Sequence, residues 1–397
     1  NQYNAIFAGY GFMAEDAEFV SQLEKAGLLF IGPHSGVIQK AGNKDQAKAI
    51  AIEHRLSVVP GEHQLAEKAY LKKCPTADRA QCAYLVSIDD LARQAKEAIH
   101  QLWQQYPQYR IRFKAVGSGG GRGQRTLSTP FTGSEEEVLT IEQRHLMIDS
   151  ALKPVDGLIL EILQEVKALD SKENKNILLE LNIENTRHLE VQLVGNGQWV
   201  VALGLRDCSF QMHEQKLIEM SLTQEALVAV LEASTLTDSD RTYFQKEYQQ
   251  VIEIEKEAVQ FGLAVGLNSV STFECIADEA HHFFMEMNTR IQVEHRVTEC
   301  VYGLRFENPE NAADAFEVYR LIELMVLLAA HGARLPKPIR VAQVGASVEV
   351  RLNAMNEALQ PHAGGKIEAW SQPCEGEIRD DQAISKPMPA TGVMDPY

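Results

Sequence analysis

The chain has 397 residues, 45% of them hydrophobic and 23% charged, and a formal net charge of -17 at pH 7. That length calls for two or three domains rather than one core, and the composition is that of an ordinary globular protein. The net acidity excludes a general nucleic-acid surface, so a phosphate-bearing substrate needs basic contacts that are few and local.

The cysteines at 74, 82, 208, 275, 300 and 374 form no C-x-x-C pair. Their spacing offers neither a zinc site nor a disulfide framework, which fits a reducing compartment. The most apolar run, Leu321 to Ala330, is short and holds Glu323, so it does not read as a membrane span. The chain opens without Met and without a basic, then apolar, leader, so no signal peptide is expected and the chain reads as a piece of a longer polypeptide.

In chain order, Asn4 to Phe12 reads as a short strand entering a glycine turn, and Glu15 to Ala26 has helical spacing. Leu28 to Ile31 is a second strand, ended by Gly32 and Pro33. Ser35 to Ala41 and Lys44 to His54 read as helices, and Ser57 to Val59 as a strand closed by Pro60 and Gly61. This alternation implies an α/β lobe with parallel strands. Gly61 to Tyr109 yields one clear element, a helix over Ser87 to Gln105 that starts with Ser and two Asp.

Ile111 to Val116 reads as a strand, Gly117 to Gly123 as a glycine-rich loop and Gln124 to Ser128 as another strand. Glycines let a backbone approach a ligand and turn its N–H groups toward phosphate oxygens. The pattern is neither G-x-x-x-x-G-K-[ST] nor G-x-G-x-x-G, and a plain hairpin tip is the alternative. Lys114, just before the loop, can reach a phosphate as a point charge. Ser134 to Ser150, capped by Ser134, and Val155 to Val166 read as helices.

Ile177 to Leu181 is a strand, and His188 to Val194 alternates, with His188, Glu190 and Gln192 on one face. Trp199 to Leu205 pairs back across a Gly-Asn-Gly turn, and the following Arg206 to Lys216 holds two polar candidates, Gln211 and Lys216. Thr223 to Ala233 and Asp238 to Gly262 are helical, Ala313 to His331 reads as one long helix, and Ser347 to Asn353 is a strand.

Ser271 to His295 organises the rest. Phe273 to Ile276 and Phe283 to Met285 suit two strands joined by the polar stretch Asp278 to His282. Setting Ala277 opposite Phe283 places Glu274 opposite Glu286 and Thr272 opposite Asn288. Facing carboxylates repel, so a cation is expected between them, and oxygen ligands of this kind suit Mg²⁺ completed by phosphate oxygens. Glu286, Asn288, Arg290, Gln292 and Glu294 then share one parity, and Met285, Met287, Ile291 and Val293 the other. Alternation alone favours a half-buried strand with a solvated face; the mix of functional groups, with the acid that the register places opposite, favours a site.

These residues carry a resemblance. GYGF (9–12), FIGP (30–33), KAVGSGGGRG (114–123), IENTRHLEVQ (183–192), RDCSFQ (206–211), EMNTRIQVEH (286–295) and EVRLNA (349–354) resemble, in order, the biotin carboxylase component of biotin-dependent carboxylases, within the ATP-grasp superfamily. The resemblance implies an α/β (α+β) ATP-grasp fold. Residues 1–61 would be a partial N-terminal lobe, 62–182 a glycine-loop lid with insertions, and 183–397 a large lobe with an antiparallel sheet, truncated at its end.

The implied activity is ATP- and bicarbonate-dependent carboxylation of biotin through carboxyphosphate, the first half-reaction of an acyl-CoA carboxylase. The alternatives are a pyruvate or urea carboxylase component, another ATP-grasp ligase, or a non-catalytic binding module. By the resemblance, Lys44, Lys114 and the glycines Gly119, Gly120 and Gly121 contact ATP phosphates; Glu180 and the backbone at Ile183 hold adenine; His188 holds ribose, and Gln211 also belongs to the nucleotide site. Glu274, Glu286 and Asn288 bind Mg²⁺ or Mn²⁺. Lys216, Arg290, Gln292 and Val293 position bicarbonate, Glu294 is the base, and Arg351 steadies the biotin enolate.

Biotin would arrive on a carrier domain not seen in this chain. That carrier and a carboxyltransferase would sit on the same polypeptide or on separate subunits, with a homo-oligomer left open and neither nucleic acid nor membrane as partner. The cytosol, bacterial rather than an organelle matrix, is the expected location. The chain departs from the family pattern at Phe7-Ala8, at Leu181 where a basic residue is usual, at Met212-His213, at Glu214 in place of histidine, and at Arg296. The segments 62–108, 129–176 and 305–313 are longer than typical.

Overall fold

A computed structural model describes residues 3–116, 123–131, 139–169, 173–184, 186–212, 215–278, 281–307, 311, 314–343, 345–351, 366–367 and 392–393, without the side chains of Phe12, Lys44, Asp45, Ala333 or the last two pairs. The chain divides into two compact units, Asn1–Glu349 and Val350–Tyr397. In the second unit, Lys366 pairs with Val393 and Ile367 with Gly392, antiparallel. All the numbered elements belong to the first unit.

The N-terminal segment is a small parallel crossover. Strand β1 (Ala5–Ile6) pairs in parallel with β2 (Leu29–Phe30) across helix α1 (Ala17–Lys25). The helix starts later than its apolar spacing suggests. A 3-10 turn takes up Phe12–Glu15, and the Asp16 carboxylate caps α1 by accepting from the N–H groups of Glu18 and Phe19. Helices α2 (Ser35–Gly42) and α3 (Lys44–Glu53) follow as expected. The strand expected at Ser57 to Val59 reduces to one parallel bridge from Val58 to Phe284.

The next lobe runs through β3 (Gly61–Glu62), α4 (Leu65–Leu71), α5 (Arg79–Leu85), α6 (Ile88–Gln105), β4 (Arg110–Ala115), β5 (Gln124–Leu127), α7 (Ile141–Ala151), α8 (Val155–Glu165) and β6 (Ile177–Asn182). Its antiparallel sheet has the order β3-β6-β4-β5. One core joins Leu91, Ile99 and Trp103 of α6 to Ile111 and Phe113 of β4 and to Ile159 and Ile162 of α8. The helix expected from Ser134 has its cap at Thr140, in a capping box with Gln143; Ser134 itself lies outside the described residues.

The large lobe begins with β7 (Arg187–Gly195), β8 (Val200–Met212), β9 (Gln215–Leu222) and α9 (Gln224–Leu231). The 28-residue α10 (Asp238–Val265) follows, opened by a Thr237–Asp240 capping box and closed by Gly266 in the left-handed region, φ +73°. Then come β10 (Val270–Ala277), β11 (His282–Asn288), α11 (His295–Glu299), β12 (Tyr302–Phe306), β13 (Phe316–Val318), α12 (Leu321–His331) and β14 (Ile339–Ala342). The sheet order is β11-β10-β7-β8-β9, all antiparallel. Beyond β9, the Ser347 N–H donates to Ser221 Oγ at 2.8 Å. Val251, Ile254, Ala258 and Phe261 of α10 cover one face of this sheet. No helix among the described residues is long and apolar enough to cross a membrane.

The long helix expected over Ala313 to His331 is corrected to a short strand followed by a helix. Phe316 stacks on Phe306 with ring centroids 5.1 Å apart, and Val318 pairs with Leu304, which holds this stretch extended. The helix begins at Leu321, whose N–H donates to the Glu299 carboxylate at 2.7 Å.

The central hairpin has the expected outcome by a different path. At its tip Ala277 pairs with His282, not Phe283, one residue out of the expected register. A bulge between Glu274 and Cys275 absorbs the difference, and Glu274 still faces Glu286 and Thr272 still faces Asn288. Met285 is the extra residue, and it is 40% exposed rather than packed.

The sheet is pinned to α10 by Phe273, Phe284 and Phe261. Phe273 is fully buried, with ring centroids 4.9 Å from Phe284 and 5.9 Å from Phe261. Phe273→Ala is expected to destabilise the protein by about 3–5 kcal/mol, because the aromatic cluster cannot collapse around the void. Urea unfolding followed by far-UV circular dichroism checks this. A midpoint equal to that of the wild type would show that the hairpin is not anchored there.

Candidate active site

Cross-strand neighbours point to the same face of a sheet. Glu286 of β11 faces Glu274 of β10, Glu274 faces Glu190 of β7, and Glu190 faces Arg206 of β8. Four strands therefore carry an unbroken row of three acids ending in a guanidinium. The adjacent row is Asn288, Thr272 and Gln192. Three adjacent carboxylates hold together only if cations or donors compensate them.

Arg206 supplies part of that compensation. It is fully buried, and its Nη2 and Nε donate to Glu190 Oε2 at 3.1 and 3.3 Å. Its remaining N–H groups reach Gln192 Oε1 (2.9 Å), Thr298 Oγ1 (2.9 Å), Gln292 Oε1 (2.8 Å) and Thr272 Oγ1 (3.4 Å). Lys216 of β9 supplies the rest. Its ammonium touches Glu190, lies 2.7 Å from Glu294 Oε1 and 3.7 Å from Glu274 Oε1.

Glu274 also accepts from Gln292 Nε2 (2.8 Å) and Asn288 Nδ2, and pairs with His188 Nε2 at 3.0 Å. Burial pushes the Glu274 carboxyl up, but the His188 hydrogen bond and the Lys216 charge outweigh it, and the group is held well below the carboxylate range. Glu294 follows the same pattern: burial raises it, Lys216 and Arg206 lower it further, and it stays an anion. Glu294 sits at a turn just before α11, so the extended face expected through residue 294 ends early and Val293 is 42% exposed.

Arg290 is held by an acid that the sequence assigns to a helix and not to the site. Its Nε donates to Glu15 Oε2 at 2.9 Å, and the neighbouring Thr289 N–H donates to Glu15 Oε1 at 3.0 Å. Gln211 is exposed and its amide lies 2.9 Å from His188 Nδ1, which joins those two expected nucleotide residues.

A second cluster centres on Glu180 of β6. Lys114 Nζ lies 2.7 Å from Glu180 Oε2, Lys48 of α3 contacts Oε1, and His63 Nδ1 is 3.9 Å away. Burial raises the Glu180 carboxyl, yet the two lysines bring it down to about 2. His63 is pushed down to about 4, first by burial and then by the Lys48 charge, so it is neutral at pH 7. Ile183 lies beside this cluster in sequence and lines a shallow pocket with Tyr109, Arg110, Asn182, Glu184 and Asp278.

The structure thus brings together Lys216, Glu274, Asn288, Gln292 and Glu294, joins Arg290 to them through Asn288 (Nη2 to Oδ1, 3.4 Å), and separately joins Lys114 to Glu180. Gly119, Gly120, Gly121, Glu214 and the Lys44 side chain lie outside the described residues. Arg351 belongs to the second unit. Leu181, where the family has a basic residue, is buried in the core beneath β6.

The sequence reading missed Glu190, Arg206, Lys48, His63 and Glu15 as site residues. Extending the hairpin register to β7 would have found Glu190, and the four-residue step along α3 from Lys44 points to Lys48. Nothing local points to Glu15, which lies 275 residues from its partner.

The donor set fits a divalent cation. Among the described residues Glu15, Glu190, Glu274, Glu286 and Glu294 outnumber Arg206, Lys216 and Arg290 in this cluster. Hard carboxylate and amide oxygens from Glu274, Glu286 and Asn288 are the ligand type Mg²⁺ takes. His188, Glu190 and Glu274 offer ligand atoms within 4.8 Å of one another, and the imidazole makes that trio a softer alternative.

The depressed carboxyls fix the sign of a pH effect. Glu180 is lowered from 4.5 to about 2, so its stabilisation is full above pH 4.5 and is lost as pH falls through about 2. Glu180→Gln is expected to make the acid loss of stability shallower by about one proton per molecule, worth roughly 2–3 kcal/mol between those limits. Urea titrations of both proteins between pH 6 and pH 2.5 measure it; identical acid limbs would contradict the pairing with Lys48 and Lys114.

Comparisons with known proteins agree with this geometry. A family model described as "Biotin carboxylase, N-terminal domain" matches residues 1–38, and "Carbamoyl-phosphate synthase L chain, ATP binding domain" matches residues 158–308. The 2-oxoglutarate carboxylase small subunit of Hydrogenobacter thermophilus is 31% identical over 389 residues, which is 96% of this chain and 63% of that protein. The biotin carboxylase of Pseudomonas aeruginosa is 28% identical over 96% of this chain and 66% of its own length. The chain spans less than two thirds of the curated relatives it matches, down to 15% of the urea amidolyase of Lachancea kluyveri.

Among solved structures, the Campylobacter jejuni biotin carboxylase in complex with an ATP analogue superposes with a TM-score of 0.61 at 26% identity, over 94% of this chain and 64% of that one. The biotin carboxylase domain dimer of the Hydrogenobacter thermophilus 2-oxoglutarate carboxylase, with MgADP and bicarbonate, gives 0.57 at 25% identity, over 98% and 69%. Together with the sheet order and the acid row, these matches support a biotin carboxylase ATP-grasp domain.

Proposed function

We propose that this chain carboxylates biotin at the expense of ATP and bicarbonate, through carboxyphosphate, as the first half-reaction of a biotin-dependent carboxylase. The observation that carries the reading is Glu294, a buried carboxylate held ionised 2.7 Å from Lys216 and beside the acid row. Bicarbonate is a poor nucleophile. An anion taking up the Lys216 charge releases Glu294 from that pairing and raises its proton affinity, which turns a weak base into one able to take the bicarbonate proton.

The deprotonated oxygen then attacks the γ-phosphorus, ADP leaves, and the mixed anhydride breaks down to CO₂ and phosphate. Arg290 and Gln292 orient the bicarbonate, and Lys114 neutralises phosphate charge. Mg²⁺ held by Glu274, Glu286 and Asn288 would supply charge neutralisation on the transferring phosphoryl group.

A carrier bearing biotin and a carboxyltransferase complete the cycle. The similarity both to a separate small subunit and to a short part of a urea amidolyase supports either arrangement. The match to a carbamoyl-phosphate synthase ATP-binding model favours one alternative, another ligase that phosphorylates a carboxylate.

The test is ATP hydrolysis by the intact parent polypeptide with Mg²⁺ and free biotin, with bicarbonate present or withheld. Hydrolysis is expected to require bicarbonate, to rise with biotin, and to fall by about 10²-fold or more in Glu294→Ala. Bicarbonate dependence without biotin stimulation, or hydrolysis indifferent to bicarbonate, would overturn the biotin carboxylase reading and favour the other ligase.

A further inference from the structure

Among the described acids of the cluster, Glu15 is the one from the N-terminal segment, at the end of the 3-10 turn Phe12–Glu15. Its two oxygens divide their work. Oε1 accepts the Thr289 backbone N–H at 3.0 Å, and Oε2 accepts Arg290 Nε at 2.9 Å. Thr289 is fully buried, so its N–H needs that partner. Two donors on consecutive residues call for two acceptors on one side chain. A carboxylate provides them, whereas an amide of the same shape offers one oxygen and turns an N–H against the other donor.

The consequence falls on the direction of the guanidinium. Arginine has a long stem with about 2 kcal/mol of rotamer entropy. With Nε engaged by Glu15, the Nε edge is occupied, and the fork presents its Nη1 and Nη2 end. Among the described residues those two nitrogens make only long contacts, 3.3 Å to Ile291 O and 3.4 Å to Asn288 Oδ1. The Nη pair is the edge that grips a planar oxyanion through two parallel hydrogen bonds.

We infer that Glu15 is a positioning residue: it locks Arg290 so that the Nη edge of the guanidinium faces the bicarbonate site, and it thereby sets the affinity for bicarbonate and not for ATP. The inference rests on the proposed function, because Arg290 is read there as a bicarbonate ligand. It also gives the N-terminal segment a direct part in the site formed by the large lobe.

The experiment uses the intact polypeptide and compares the wild type, Glu15→Gln, Arg290→Lys and the double variant in bicarbonate-dependent ATP hydrolysis with Mg²⁺ and free biotin. Glu15→Gln is expected to raise the bicarbonate KM about tenfold or more while the ATP KM stays within about twofold, as loss of a charge-assisted hydrogen bond predicts. Lysine lacks Nε, so adding Glu15→Gln to Arg290→Lys is expected to leave the bicarbonate KM where Arg290→Lys alone puts it.

A wild-type bicarbonate KM in Glu15→Gln, a parallel rise in both KM values, or additive effects in the double variant overturns the inference and leaves the proposed function standing. Bicarbonate-independent hydrolysis by the wild type overturns both. If Glu15→Gln does not fold, as judged by its thermal melt, Glu15→Asp takes its place. It keeps both acceptors but is one methylene short, and the same split between the two KM values decides the outcome.

Discussion

Arg206 is the constraint on which the rest of the site depends. A guanidinium with no exposed surface has lost its hydration, and that loss is repaid only where its donors are met. Here they are met by Glu190, Gln192, Thr272, Gln292 and Thr298, which come from β7, β10, the segment after β11 and α11. Gln292, oriented by Arg206 through its oxygen, uses its amide N–H₂ on Glu274. Glu190, fixed by Arg206 on one oxygen, offers the other to Lys216, and Lys216 reaches Glu294. One buried cation therefore sets the orientation of a chain of polar groups that ends at the proposed base. Such a network is fully engaged or it is unstable, which ties the geometry of the site to the folding of the sheet.

The acids in the row serve opposite needs. For stability, adjacent carboxylates are a cost that Arg206, Lys216 and the donors of His188, Asn288 and Gln292 offset. For chemistry, they keep the site anionic enough to attract a divalent cation, while Lys216 and Arg206 keep Glu294 ionised. The second cluster, Lys48 and Lys114 around Glu180, uses the same balance with the signs reversed, as a place where phosphate charge would be met. Placing an acidic and a basic cluster on separate sheets lets a chain of net charge -17 handle an anionic substrate without a broadly basic surface.

Much of this was legible in the residues because strand pairing is a local rule with long reach. Glu274 and Glu286 were placed face to face from the hairpin alone. The tip register assumed for that step was off by one, and the bulge at Met285 restored the phase. The helices with clear caps, such as the one after Ser87, appeared where their caps predict. The stretch before α12 did not. Three residues of strand leave too few positions for a period of two to show, and the aromatic stack of Phe316 on Phe306 that holds them extended is tertiary. Arg206 and Glu15 were hidden for the same reason. Their roles arise from contacts between distant segments, and a motif names such residues without saying what they hold.

The central claim is chemical, that a bicarbonate oxygen attacks phosphorus. Bicarbonate labelled with ¹⁸O, turned over rapidly with ATP, Mg²⁺ and free biotin by the intact polypeptide, tests it directly. An oxygen that forms the bond to the γ-phosphorus stays on phosphate when CO₂ departs, so released phosphate carrying one ¹⁸O atom is the predicted result. Phosphate free of label while ATP is consumed would mean that water, not bicarbonate, attacks, and would contradict the carboxyphosphate route.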